Sequence, residues 1–191
     1  SRADGALFGG LLVAGVLALV LVAALPRTAP AAAAWEIQRA PTRLTLRDVD
    51  FVDERHGWIV GGQGEHDEKC VILRTADGGA SWQNVPCPLP SRLHGVSFVS
   101  ARTGWTVGML PGLILRTDDG GDSWTRQDPG TTAQLSSVLF LDARVGWISV
   151  AEADYLLKTT DGGLTWQRSM LPAREDIPVV TFVHPAPGGG P

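Results

Sequence analysis

An eight-residue string, TADGGASW, returns as TDDGGDSW and again as TTDGGLTW. Its aspartates are Asp77, Asp119 and Asp161, its tryptophans are Trp82, Trp124 and Trp166, and both series step by 42 residues. A fixed period of this size restricts a chain to solenoids, propellers or arrays, in which each repeat is one supersecondary unit. The other pieces of the unit keep the same order. An alternating run holds Val49 and Phe51, Val96 and Phe98, or Val138 and Phe140. A turn with Arg55, Arg102 or Arg144 follows, then Gly57-Trp58, Gly104-Trp105 or Gly146-Trp147. VILRT, LILRT or YLLKT leads into the Asp-Gly-Gly string, and the string's tryptophan opens a fourth run.

Four short runs rich in β-branched and aromatic residues, each bounded by Gly, Asp or Pro, read as four antiparallel strands. The expected fold is all-β: a partial or small β-propeller of three four-stranded blades. The register extends beyond the three strings. Trp35–Ala40 matches the last strand of a preceding unit, and Val179–His184 the first strand of a following one. The domain is therefore expected to run over 35–185, followed by a Gly/Pro tail over 186–191.

Ala6–Leu25 is an uncharged apolar run of twenty residues. As a helix rising about 1.5 Å per residue it would cross roughly 30 Å of hydrocarbon. The expectation is a transmembrane anchor over 1–27, joined by a Pro/Ala-rich linker over 28–34. The competing reading is a signal peptide with the small residues Ala31–Ala34 at its cleavage site. Orientation by charge is nearly tied, with Arg2 and Asp4 on one side and Arg27 on the other.

Net charge is −4, which gives no basic footprint for nucleic acid. Only Lys69 and Lys158 are lysines, against 14 arginines among the 16 basic residues. Arginine suits fixed planar contacts. Arg55, Arg102 and Arg144 form one repeated row, and Arg74, Arg116 and Lys158 a second. Two uses are open for them: pairing with a string or strand-end carboxylate, or facing a partner's acidic or carbonyl surface. Cys70 and Cys87 fall near the open end of one hairpin, so a disulfide and an oxidising compartment are expected. The segment between Trp58 and Trp82 is five residues longer than its counterparts, around QGEHDEK. Glu65, His66, Asp67 and Glu68 in it make a poor metal signature, because one His beside carboxylates fits solvated loop tips as well. No metal and no cofactor are expected.

The strings match the pattern Ser/Thr-x-Asp-x-Gly-x-Ser/Thr-Trp, which resembles the Asp-box, or bacterial neuraminidase repeat. In that reading Asp77, Asp119 and Asp161, with Trp82, Trp124 and Trp166, are structural fasteners. The aspartate accepts backbone N–H groups, the glycines supply positive φ, and the indole packs on its neighbour. The fuller unit, Val-x-Phe, Gly-Trp and Leu-Arg-Thr-x-Asp-Gly-Gly, resembles the photosystem II assembly and stability factor family. That resemblance implies a lumenal or periplasmic propeller that binds reaction-centre proteins and is not an enzyme. A sialidase would need an activated tyrosine, and the lone Tyr155 matches Val71 and Leu113 in register, where packing is expected. The leading expectation is a membrane-anchored accessory subunit on the periplasmic or lumenal side of an integral-membrane complex, with a photosynthetic reaction centre as favoured host. The alternatives are a transient photosystem assembly factor and a carbohydrate-binding or adhesion module.

Overall fold

The alternation read from the sequence becomes twelve strands in a computed structural model that describes residues 37–63 and 69–171. The first sheet holds β1 (Leu46–Phe51), β2 (Gly57–Gln63), β3 (Lys69–Thr75) and β4 (Gln83–Val85). The second holds β5 (Leu93–Phe98), β6 (Gly104–Gly108), β7 (Ile114–Thr117) and β8 (Thr125–Gln127). The third holds β9 (Leu135–Phe140), β10 (Gly146–Val150), β11 (Tyr155–Thr159) and β12 (Gln167–Met170). Each sheet is an antiparallel meander with its strands in chain order. This is the blade pattern that the 42-residue period calls for.

Burial follows from stacking. β6, in the middle sheet, is buried at every residue, whereas β12, an outer edge strand, is exposed at every residue. Two cores fill the seams. Trp58, Val60, Leu93, Val96, Phe98 and Leu115 belong to the first, and Trp105, Val107, Leu135, Phe140, Ile148 and Leu157 to the second. The first strand of each sheet carries a register shift at the same place, after Leu46, Leu93 and Leu135. The residues skipped are Arg47, His94 and Ser136. A β-bulge turns such side chains away from the ladder.

Several expectations fall outside the described residues: the Ala6–Leu25 span, the linker, Trp35, the Glu65–Glu68 loop, Val179–His184 and the tail. Among the described residues no helix is long and apolar enough to cross a membrane. Of the strand expected over Trp35–Ala40, residues 37–40 carry no strand pairing. Gln38 nevertheless lies against Gly79 as Gln127 lies against Gly163. It therefore occupies a fourth-strand position beside the first sheet.

Candidate functional site

The three Asp-boxes have one geometry. In the second, Thr117 Oγ1 donates to Asp119 Oδ1 at 2.8 Å, and the Ser123 amide donates to the same oxygen at 2.9 Å. Ser123 Oγ donates to Asp119 Oδ2 at 2.6 Å, and the Gly121 amide donates to Thr117 Oγ1 at 2.9 Å. Asp77 and Asp161 repeat these bonds with Ser81 and Thr165. The hydroxyl donor, then the box amide, hold each carboxyl at a pKa of about 2, well below its ordinary value. Both glycines of every box have positive φ, such as +80° at Gly120 and +97° at Gly121. A side chain there would be strained.

The boxes also join one sheet to the next. Trp58 stacks on Phe98 with centroids 3.6 Å apart, and Trp105 stacks on Phe140 at 3.5 Å. The Trp58 indole donates to the Gly120 carbonyl at 3.0 Å, and Trp105 to Gly162 at 3.3 Å. Each first-strand phenylalanine also meets its own box tryptophan edge-on: Phe51 with Trp82, Phe98 with Trp124 and Phe140 with Trp166. At the inner strands, Asp50 and Ser97 side chains accept the amides of Phe98 and Phe140.

The two cationic rows separate by environment. Arg74 Nη1 donates to the Gly120 carbonyl at 3.2 Å and to Asp122 at 3.0 Å. Arg116 Nη1 donates to the Gly162 carbonyl at 3.2 Å, its Nη2 reaches Asp118 at 2.9 Å, and its guanidinium lies over Trp105. Both side chains thus grip the next sheet. Lys158 Nζ lies 5.5 Å from the centroid of Trp147. Arg55, Arg102 and Arg144 are exposed at the turns between first and second strands. Of the uses open to this row, carboxylate pairing is not seen for Arg55 and Arg102 among the described residues, where each meets a backbone carbonyl. Arg55 Nε donates to the Ala76 carbonyl and Arg102 Nε to the Asp118 carbonyl, while their own carbonyls accept the Gly78 and Gly120 amides. Asp77 and Asp119 each already accept two hydroxyl donors and one amide. The Nη groups of Arg55 and Arg102 make no hydrogen bond among the described residues.

A feature not anticipated lies where the first-strand bulges fall. Half-buried His94 donates from Nδ1 to the Leu135 carbonyl of the next sheet at 3.2 Å. Burial pushes its imidazole below the ordinary pKa, against the pull of that bond, and Arg47 and Arg92 add to the fall. The sequence signal would have been the residue before Gly95, where the two-residue alternation slips. Among the described residues no cluster of His, Cys, Asp or Glu fits a metal ion. Tyr155 packs beside the second core, and Arg168 lies over its ring.

The repeated boxes and interlocked sheets define an Asp-box β-propeller module. A family model described as photosynthesis system II assembly factor YCF48 matches residues 27–132. The chain belongs to this YCF48 family. Two solved relatives agree. "YCF48 bound to D1 peptide" is 31% identical with a TM-score of 0.59, covering 69% of this chain and 42% of that one. YCF48 from Cyanidioschyzon merolae is 30% identical with a TM-score of 0.59, covering 71% and 43%. This chain therefore spans less than half the length of either. A Niastella koreensis GH74 enzyme, 19% identical with a TM-score of 0.52, covers 64% of this chain and 22% of its own, and it shares the fold. No relative matches among curated proteins.

Proposed function

We propose that this chain is a photosystem assembly-factor module that binds an extended segment of a reaction-centre membrane protein. The observation that carries the reading is family membership together with a 31%-identical relative bound to a D1 peptide. It favours the transient assembly factor over the permanent accessory subunit. The GH74 likeness, at 19% identity, bears on fold and not on chemistry.

The contact surface we assign is the exposed row Arg55, Arg102 and Arg144. Its guanidinium groups stand exposed at equivalent turns on three sheets, where they can meet the carboxylates and carbonyls of a peptide partner. Arg74 and Arg116 are engaged in holding one sheet to the next. The Ala6–Leu25 anchor and a lumenal or periplasmic position for the sheets belong to the same proposal. A membrane protein's external segment would then be met close to the bilayer.

Fluorescently labelled peptides covering the membrane-external segments of D1 provide the test. At least one should bind with salt-sensitive affinity, and changing Arg55, Arg102 and Arg144 together to Ala should weaken it roughly tenfold or more. An unchanged triple variant rejects the surface, and the absence of binding by any peptide rejects the partner class. Blue-native separation decides permanence: an assembly factor runs with precursor complexes and is missing from the mature one.

A further inference from the structure

The same two positions meet in every sheet, at the base of the third strand and just beyond the fourth. In the second sheet they are Gly112 and Pro129, and a Cβ on Gly112 would sit 2.8 Å from the Pro129 ring. The Gly112 amide also donates to Ala133 O at 3.2 Å. In the third sheet they are Asp154 and Leu171, joined by the Leu171 amide donating to Asp154 O at 2.9 Å. In the first sheet they are Cys70 and Cys87, joined by a disulfide with Cα atoms 6.2 Å apart.

The chemistry of the crossing explains the exchange. The chain leaves β4 as PCPLP, residues 86–90, and Pro86, Pro88 and Pro90 have no N–H to donate. Among the described residues no backbone hydrogen bond ties Cys70 to this crossing. β3–β4 pairing ends at Ile72↔Val85, short of both cysteines. A sulfur bridge thus does here what amides do elsewhere. Cys70, Cys87 and Leu89, all partly buried, pack against the core that holds Trp58 and Phe98, so the crossing covers the seam between the first two sheets. Cys70 Sγ lies 3.0 Å from the Leu89 carbonyl oxygen.

We propose that Cys70–Cys87 is a thiol–disulfide exchange site, a redox-controlled clasp that holds the 86–92 crossing over this seam. Its reaction partner is a dithiol, either a small molecule or a Cys-x-x-Cys oxidoreductase. A thiolate of the reductant attacks one sulfur and forms a mixed disulfide, releasing the other cysteine as thiolate. The second thiol of the reductant then displaces the bound sulfur. Two electrons pass to the protein, Cys70 and Cys87 take up two protons, and the reductant leaves as its disulfide. Among the described residues the released crossing keeps bonds only at its far end, where Arg92 O accepts the Met109 amide and Ser91 Oγ the Leu110 amide. Cys87 and Leu89 therefore lift from the core edge and those bonds loosen while all three sheets persist.

The test uses the full chain with dithiothreitol as probe. Thiol labelling under native conditions should report both cysteines after reduction. Amide hydrogen exchange at Met109 and Leu110, whose N–H groups are held by Arg92 and Ser91 of the crossing, should then accelerate roughly tenfold, with residues 128–133 and the strands unchanged. Changing Cys70 and Cys87 together to Ser should reproduce the fast exchange and abolish any response to reductant. Native thiols that stay unlabelled, an unaltered crossing after reduction, or loss of protection across all sheets would each overturn the proposal. The last would make the bond a global staple and not a local clasp.

Discussion

Phe51 and Phe140 occupy the same place in the same repeat, yet one is 43% exposed and the other 1%. Both meet their own box tryptophan edge-on at 5.9 Å. Phe140 also has Trp105 stacked on its open face, and Phe51 has no stacked ring among the described residues. The local motif shapes the strand and its turn, and the neighbouring sheet decides how much of the ring leaves water. In a stacked-repeat protein the energy lies in the seams between units, so equal sequence does not mean equal contribution.

Paired substitutions break or sharpen this contrast. Phe140→Ala should lower unfolding free energy by about 3–5 kcal/mol, the range for a large buried aromatic. Phe51→Ala should cost clearly less, on the order of 1 kcal/mol, since much of its surface is already wet. Urea unfolding of the two variants side by side decides it, and equal losses would mean that a ring also covers Phe51 in solution.

The next pair tests room for movement. A Cβ on Gly104 would enter the Phe98 ring, and one on Gly57 would enter the Phe51 ring. Phe98 is held between Trp58 and Trp124, so Gly104→Ala should cost about 1–3 kcal/mol as overpacking. Phe51 can shift toward its open side, so Gly57→Ala should cost less. Thermal unfolding of each variant measures the difference.

The smallest effect concerns acid. Asp77, Asp119 and Asp161 have carboxyls held at about 2, below the ordinary 3.8. A depressed folded value adds stability above the unfolded pKa and loses it as pH falls through the folded one. Melting temperature should therefore decline between about pH 4 and pH 2 as these groups protonate. The decline should be shallow, because the boxes are exposed to solvent. Asp119→Asn should flatten part of it.

Much of this architecture was legible. The Asp-Gly-Gly turns, the Gly-Trp strands and the alternation of Val-x-Phe follow from local chemistry, and local chemistry repeats every 42 residues. What could not be read was which unit each side chain serves. Trp58 and Arg74 belong by sequence to the first sheet, yet both donate to Gly120 in the second. Carboxylates are the natural partners for arginine, and Arg74 and Arg116 do reach Asp122 and Asp118, but Arg55 and Arg102 turn to backbone carbonyls. The bulges at Arg47 and His94 escaped because a one-residue slip hides within an otherwise regular alternation.

The indole and guanidinium donors of the first and second sheets reach forward, to the glycine carbonyl of the sheet that follows. The arrangement has a direction, like overlapping roof tiles. A unit copied in frame would arrive carrying the hook for its successor and the eyelet for its predecessor, so lengthening by tandem duplication needs no fresh invention at the joints.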